Sequence, residues 1–470
     1  MTPFDCLILT AANEAQAAGY RKQLEWRAAN GSLDPSTRVL VITDPGGRRV
    51  GSLGATLNAL AVLAQKAGSR WSDDSGQKKR ADLRSPFEGK RILICHSGGD
   101  SRRTPAYAAQ GKIFTPVPAT GANGMPLALF DLILKTVSAL PAPEGGQVLV
   151  TSGDVLLTFD YASVDFSKPG VTGVAYFGSI ERGSRHGVYV PEAFRSNPQK
   201  TECLPVADFL QKPSEPAARA CGAVDPFGHV AVDTGLLSFD PDTCARLLRA
   251  AGLGTGENVQ RSRLNVQHSR KKGRAGLLAE IVEGDCPALD LYEELTMALS
   301  PRVDEARFIE RVVVARGRDA AHVRRMRALY RALRGVPFHV NIVPYCEFFH
   351  IGSSRELLAG FSGLSRTAQA CRFANGSGSA VGDRRSGVGE TVGRAFVFNS
   401  LIACSLKTGR ALVEGVHRAG SDLQLVLDGD NILTGLPPEA KVGVRLAPGI
   451  GLVCLPVGAS GWAAVAYGLE

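Results

Sequence analysis

The chain has 470 residues, 44% of them hydrophobic and 21% charged, the ordinary balance of a folded soluble protein long enough for two or three domains. Its start (Met1-Thr2-Pro3-Phe4-Asp5-Cys6) carries no basic n-region or apolar h-region, and no apolar stretch reaches the roughly 18–20 residues of a membrane span, which predicts a cytoplasmic protein. The ten cysteines stand singly without a C-x-x-C pair, against a disulfide framework or a structural zinc site, and the net charge of +9 fits an anionic small substrate better than nucleic acid.

Residues 5–12 form an apolar run closing on small residues, like a buried strand meeting a loop, and a helical stretch follows to about residue 29. Val39–Thr43, Arg91–Cys95 and Val148–Thr151 read as further strands, each leading into glycines. Strands alternating with helices predict βαβ units and a parallel sheet covered on both faces, with ligands at the carboxyl ends of the strands. Trp71–Lys90, Gly254–Gly273 and Asn375–Gly393 lack apolar periodicity and read as flexible surface loops. Between about 275 and 335 the pattern is helical: Leu277, Leu278, Ile281, Leu289, Leu291, Tyr292 and Leu295 recur at three- and four-residue spacings. From Ala395 onward short β-rich pieces punctuated by Gly, Asn and Asp predict an all-β module of stacked coils or a small sandwich. The cysteines, from Cys6 to Cys454, read as buried, inert thiols.

The chemistry concentrates in His96 to Pro118, HSGGDSRRTPAYAAQGKIFTPVP, directly after the strand Arg91–Cys95. Gly98 and Gly99 let the backbone approach a phosphate chain and turn amides toward it. Arg102 and Arg103 stand ready to clamp a triphosphate, and Lys112 follows where the loop returns. Such groups suit nucleotidyl transfer, in which negative charge builds on the α-phosphate and the departing pyrophosphate. The pattern is neither G-x-x-x-x-G-K-[ST] nor G-x-G-x-x-G. A plain Gly-Gly turn with surface arginines is the alternative.

The spacing G-G-x-x-x-R-x-x-P…G-K…P-x-P resembles the phosphate loop of sugar nucleotidyltransferases. With His96 ahead of the glycines and Tyr107 and Gly111-Lys112 behind, it resembles the L-fucose-1-phosphate guanylyltransferase (GDP-L-fucose pyrophosphorylase) family in particular. Further matches run in order: Gly51–Leu60, Ser152-Gly153-Asp154-Val155, Phe209-Leu210-Gln211-Lys212-Pro213, Leu289-Asp290-Leu291-Tyr292 and Phe349-His350-Ile351-Gly352-Ser353-Ser354. Together they span most of residues 5–440.

The resemblance implies an α/β fold with a Rossmann-like mixed sheet of nucleotidyltransferase type at 1–245, a helical insertion at 246–335, and a β-rich, β-helix-like domain at 336–470. It implies that Asp154 holds Mg²⁺ and that Lys212 meets the sugar phosphate. Gly51, Ser52, Gly54 and Asn58 would contact the nucleotide, beside Gly98 and Gly99. Asp233 and Gly235 would line the sugar site, with Asp233 a candidate second metal ligand. The substrates implied are GTP and L-fucose 1-phosphate, with no nucleic acid or membrane partner and the oligomeric state open. No nucleophile elbow of the G-x-S-x-G kind is present, and His96 and His186 read as structural. The sugar phosphate oxygen would therefore attack the α-phosphorus directly. The glycine-rich ATP loop of a fused sugar kinase is not found, so no kinase activity is expected here. The alternatives are another nucleotide or a mannose- or heptose-type phosphate, a non-catalytic sugar-nucleotide-binding paralogue, and, more distantly, a nucleic-acid-binding role.

Overall fold

The computed structural model describes residues 3–67, 82–97, 99, 101–121, 123–194, 197, 199–253, 277–283, 287–314, 320–360, 385–386, 390–392, 395–402, 405–418, 424–437 and 443–469. The first half runs β1 (Cys6–Ala11), α1 (Glu14–Ala29), β2 (Arg38–Thr43), α2 (Gly51–Ala67), β3 (Arg91–His96), the ribbon β4 (Pro116–Thr120) and β5 (Pro126–Ala128), α3 (Leu129–Ser138), β6 (Gln147–Ser152) and β7 (Val155–Thr158). Then come β8 (Val171–Ser179), α4 (Ile180–Gly183), β9 (Gly187–Pro191), β10 (Glu202–Gln211), α5 (Glu215–Ala220), β11 (His229–Phe239) and α6 (Pro241–Ala250). The helical stretch holds α7 (Leu277–Glu283), a π-helical turn (Leu291–Leu295), α8 (Thr296–Leu299), α9 (Glu305–Val312) and α10 (Ala320–Leu333), and leads into β12 (Phe338–Val343) and β13 (Glu347–His350). Among the described residues no helix is long and apolar enough to cross a membrane.

Nine strands build one sheet in the order β2-β1-β3-β6-β11-β8-β12-β10-β9. Every residue of β1 is buried, as a strand covered on both faces requires. β1, β2, β3 and β6 are mutually parallel, so Ala11, Thr43, His96 and Ser152 arrive at the same edge. The expectation of a parallel sheet holds for these four strands and again where β12 pairs with β8, and needs correcting at β9, β10 and β11. β11 runs antiparallel to β6 and β8, and β10 runs antiparallel to β12 and β9. The register of β11 against β8 slips between Asp233 and Leu237, a bulge of the kind found beside active sites. β12 lies inside this sheet between β8 and β10, so the first strand beyond residue 336 is part of it.

Helix α1 starts where Asn13 Oδ1 accepts the Gln16 N–H at 3.0 Å and Gln16 Oε1 accepts the Ala12 N–H at 2.7 Å, reciprocal bonds that satisfy donors left over at a helix start. Its inner face buries Ala17, Tyr20, Leu24 and Arg27. Arg27 is held by Asp131 of α3 through Nε–Oδ1 at 2.7 Å and a second bond from Nη2 at 2.8 Å, and its guanidinium lies 5.0 Å from the Phe114 ring centre. Arg27 is buried and the Asp131 side chain is only 10% exposed, so removing one partner strands the other. Asp131→Ala is therefore expected to cost about 3–5 kcal/mol of folding stability, measured by urea unfolding. A loss below about 1 kcal/mol, the value of a solvated pair, would mean that Arg27 finds water instead.

The expected C-terminal β module is present; most of its described strands pair in parallel, while Arg385–Ser386 and Glu390–Val392 pair antiparallel with Ser400–Ile402 and Ala395–Phe398. Ala395–Phe398, Ala411–Glu414, Asn431–Thr434 and Ile450–Val457 form one sheet. Ser405–Thr408, Gln424–Leu427 and Val444–Leu446 form a second, and Ser400–Ile402 with His417–Arg418 belongs to a third. An antiparallel hairpin, Ile450–Val457 with Gly461–Gly468, closes the first sheet. Phe398, Leu412, Ile432 and Leu469 of this module share a buried cluster with Ala106 and Tyr107, so the module rests on the turn after Arg102 and Arg103.

Of the three segments read as flexible, residues 82–90 form turns with Leu83 and Phe87 buried, which corrects that reading for this stretch. Residues 71–81, 254–273, 375–384, 387–389 and 393 lie outside the described residues. Five of the seven described cysteines are buried, while Cys203 and Cys221 are partly exposed.

Candidate active site

The loop after β3 is tied to β1 and α1. Ser97 Oγ donates to Thr10 O at 2.7 Å, Tyr20 Oη donates to Ser97 O at 2.7 Å, and Gln16 Nε2 donates to Gly99 O at 2.8 Å. Gly99 and Ser101 both take positive φ, 133° and 51°, so the loop turns on conformations that glycine adopts without strain and serine does not. Gly98 lies outside the described residues. Arg102 and Arg103 are exposed on this loop. Arg103 is fixed through its carbonyl, which accepts the Ser354 N–H at 2.8 Å and the Ser354 hydroxyl at 3.1 Å.

Lys112 follows Gly111, whose φ of 80° and place against the Tyr20 ring leave no room for a Cβ. Its Nζ donates to Gly352 O at 3.1 Å and stands 3.6 Å from Asp154 Oδ2. Asp154 sits in the tight turn between β6 and β7. Gly153 there donates its N–H to His96 O at 2.8 Å, and a Cβ on it would press on Ser97 and Ile113. Ser152 Oγ donates to Asp154 Oδ1 at 2.6 Å, while Oδ2 also faces His350 Nε2 at 3.7 Å. Burial alone would raise the Asp154 carboxyl, but His350, the Ser152 hydroxyl and the Lys112 charge outweigh it and hold the group below its ordinary value. Asp154 is an ionised carboxylate beside the Lys112 ammonium.

The other predicted positions fall into two groups. Lys212, exposed at the end of β10, takes φ 47°, a conformation costly for a side-chain-bearing residue and common at functional sites. Its N–H donates to His186 O at 2.9 Å. His186 lies against the Phe348 ring at 5.0 Å, and burial, then the charges of His350, Arg182 and Lys212, push its imidazole down. Lys212 and His350 thus both neighbour His186, and His350 also borders Asp154.

The second group centres on Asp233 and Gly235 in the β11 bulge. Gly235 adopts φ 76° and donates its N–H to Asp233 Oδ1 at 3.0 Å. Burial pushes the Asp233 carboxyl up to about 7 against the pull of that N–H and of the Tyr189 hydroxyl. Tyr292 Oη donates to Gly235 O at 2.8 Å. Burial raises the Tyr292 hydroxyl, and the charges of Asp233, Asp290 and Asp154 add to it.

Gly51 and Ser52 are engaged by the segment before the π-helical turn. Ser52 Oγ accepts the Leu291 N–H at 2.7 Å, and a Cβ at Gly51, with φ 78°, would collide with the Leu289 carbonyl. Gly54 is buried inside α2 against Val50, so packing accounts for that glycine. Asn58 is half-buried, with Nδ2 donating to Thr43 O at 3.3 Å at the carboxyl end of β2. His96 is enclosed between Thr56 Oγ1 at 2.9 Å and Thr10 Oγ1 at 3.5 Å. Burial lowers its imidazole to about 4, so it stays neutral and structural.

Sequence reasoning assigned no role to His350, which faces Asp154, to Gly352, whose carbonyl holds Lys112, or to Glu356, which meets both His350 and Gly352. The one signal was the segment Phe349–Ser354, noted only as a match. Among the described residues no three His, Cys, Asp or Glu side chains converge as a self-sufficient metal site.

Residues 85–468 match the model of the fucose pyrophosphorylase domain family. The chain is 26% identical over 366 residues to a fucose-1-phosphate guanylyltransferase of Homo sapiens, covering 76% of this chain and 55% of that protein. It is 32% identical over 245 residues to a bifunctional fucokinase/GDP-fucose pyrophosphorylase of Arabidopsis thaliana, covering 50% of this chain and 23% of that protein. A third relative, an L-fucokinase/L-fucose-1-P guanylyltransferase of Bacteroides fragilis, is 28% identical over 182 residues, 37% of this chain and 17% of that protein. The chain thus spans little more than half of the human relative and less of the other two.

Proposed function

The chain belongs to the fucose pyrophosphorylase family, and from that premise we propose that it is a sugar-1-phosphate nucleotidyltransferase making GDP-L-fucose and pyrophosphate from GTP and L-fucose 1-phosphate. The observation that carries the proposal is the pairing of Lys112 with the ionised Asp154 at the carboxyl end of β6, beside the glycine-arginine loop. In this reading the nine-stranded sheet is a Rossmann-like nucleotidyltransferase sheet, the helices of 246–335 an insertion, and the stacked C-terminal rungs a β-helix.

The sugar phosphate oxygen attacks the α-phosphorus of GTP. The bond from that phosphorus to the bridging oxygen breaks, and pyrophosphate leaves with the electron pair. Lys112, with Arg102 and Arg103 on the loop, offsets the charge that develops on the α-phosphate and the leaving group. Lys212 holds the incoming sugar phosphate, and the bulge at Asp233 and Gly235 borders the sugar. The nucleoside lies over the carboxyl ends of β1 and β2, with Gly51, Ser52, Asn58 and Gly99 near it.

Asp154 fits Mg²⁺: it is an ionised oxygen donor whose Oδ2 meets its two nitrogen neighbours only at 3.6 and 3.7 Å. A single carboxylate suffices where substrate phosphates and water complete the shell. Bound there, the ion would supply charge neutralisation on the triphosphate.

The test is pyrophosphate release across four nucleoside triphosphates and a panel of sugar 1-phosphates with Mg²⁺. A sharp signal for GTP with L-fucose 1-phosphate is expected. Another productive pair would keep the chemistry and change the specificity, which rests on hydrogen bonds to base and sugar hydroxyls. Silence from folded protein that still binds GDP-fucose would sink the catalytic reading in favour of a binding-only paralogue.

A further inference from the structure

Asp154 is one of five groups that form a closed ring. Lys112 Nζ stands 3.6 Å from Asp154 Oδ2, and the same oxygen faces His350 Nε2 at 3.7 Å. His350 Nδ1 faces Glu356 Oε2 at 3.5 Å. Glu356 Oε2 accepts the Gly352 N–H at 2.8 Å, and Gly352 O accepts from Lys112 Nζ at 3.1 Å. The fold brings these groups together because β13 pairs antiparallel with β7, setting His350 opposite Val155, the residue after Asp154. Gly352 is the tight point, since a Cβ there would collide with Glu356 Oε2 and the His350 ring. Ser353, whose hydroxyl accepts the Glu356 N–H at 3.2 Å, caps the helical turn that carries Glu356.

Stability does not explain this arrangement. The Glu356 side chain is 54% exposed and that of His350 35%, and ion pairs so open to water contribute only about 0–1 kcal/mol. What the ring does is fix orientation. It joins the Lys112 turn, the Asp154 turn and a segment 240 residues from Lys112 in sequence, so none of the three can shift without breaking a link.

We propose that His350 and Glu356 are positioning residues that hold Lys112 and the Asp154 carboxylate in a fixed mutual geometry, Glu356 acting through His350 and the Gly352 peptide. What the positioned lysine accomplishes rests on the nucleotidyl-transfer reading; the ring itself does not. Catalytic groups misplaced by about 1 Å can cost 10²-fold in rate, so a device that removes this freedom has a kinetic consequence even where it adds no stability.

Two measurements on the full chain test it. The first needs no substrate: acetylation of the Lys112 amine by an amine-reactive reagent, followed by peptide mass spectrometry. His350→Ala and Glu356→Ala should each acetylate Lys112 several-fold faster than the unaltered protein. Glu356→Gln, which keeps an acceptor for the Gly352 N–H, should fall between, and it replaces Glu356→Ala if that variant melts early. Unchanged Lys112 reactivity in folded variants overturns the proposal. The second is kinetic: each alanine variant should lose roughly 10-fold in kcat, the low end for removing a group that orients an active-site residue, with KM for the triphosphate near its original value. The double variant should lose no more than His350→Ala alone, because the two residues act in one chain, whereas independent, multiplying losses count against the ring. If no substrate pair is turned over, the functional reading falls while the acetylation result still decides the ring.

Discussion

Lys112→Ala is expected to lower kcat at least roughly 10²-fold, the loss that follows removal of one preorganised charge-stabilising donor, while leaving the fold intact. The geometry separates the two effects. Lys112 Nζ donates to a single backbone carbonyl, that of Gly352, and meets Asp154 at 3.6 Å. Truncation therefore releases one acceptor on the buried Gly352 and one partly exposed carboxylate, at a folding cost of about 1–3 kcal/mol. The charge lost, in contrast, is the one held by both its turn and its neighbours over the end of β6. Pyrophosphate release under saturating substrates, alongside a thermal melt, makes the comparison. Near-normal turnover would take Lys112 out of the active site and leave Arg102 and Arg103 to carry the phosphate chemistry. Lys112→Arg is the sharper control, since the planar guanidinium keeps the charge but not the point geometry of the ammonium.

The parts of the molecule that sequence made legible are those whose signal is local. The strands at 6–11, 38–43, 91–96 and 147–152 announce themselves as apolar runs closing on small or glycine-rich turns, because burial on both faces demands unbroken hydrophobicity. The antiparallel half was far less visible. β10 carries Pro205 and Asp208, and β11 is interrupted by Asp233-Thr234-Gly235, which reads as a turn but is a bulge within one continuous strand. The last hairpin contains Pro456 in a strand and an alanine-rich partner, Gly461–Gly468, whose composition suits helix as readily as sheet.

The site divides in the same way. Lys112 and Asp154 could be picked out because each sits in a short motif with its own turn glycine, Gly111 or Gly153. His350 and Glu356 could not, because their place depends on the register between β7 and β13, and no local pattern encodes which distant strand pairs with which. Gly51 and Gly54 show the converse. Both glycines catch the eye as candidate ligand contacts, and the close approach of the Leu289 carbonyl to Gly51 and of Val50 to Gly54 gives each a packing role as well.

Asp154→Asn is the second decisive substitution. Asparagine keeps the shape of the side chain and an oxygen able to accept from Ser152, so the turn between β6 and β7 should persist and the protein should fold. What disappears is the charge that Lys112 and His350 face. Two effects then oppose each other. Nucleotide binding gains, because the Lys112 ammonium loses its counter-charge and turns more of its field toward phosphate. Metal binding loses, because a neutral amide oxygen is a far weaker partner for Mg²⁺ than a carboxylate. The second should win in turnover: the Mg²⁺ concentration giving half-maximal rate is expected to rise at least about 10-fold, by analogy with even outer ligand losses, and kcat to fall with it. The first should surface in metal-free binding, where GTP affinity should hold or tighten. A kcat loss with an unshifted Mg²⁺ titration would instead make Asp154 the residue that orients Lys112, joining it to the ring of His350 and Glu356 rather than to the metal. Unchanged rate and unchanged titration together would remove it from the site.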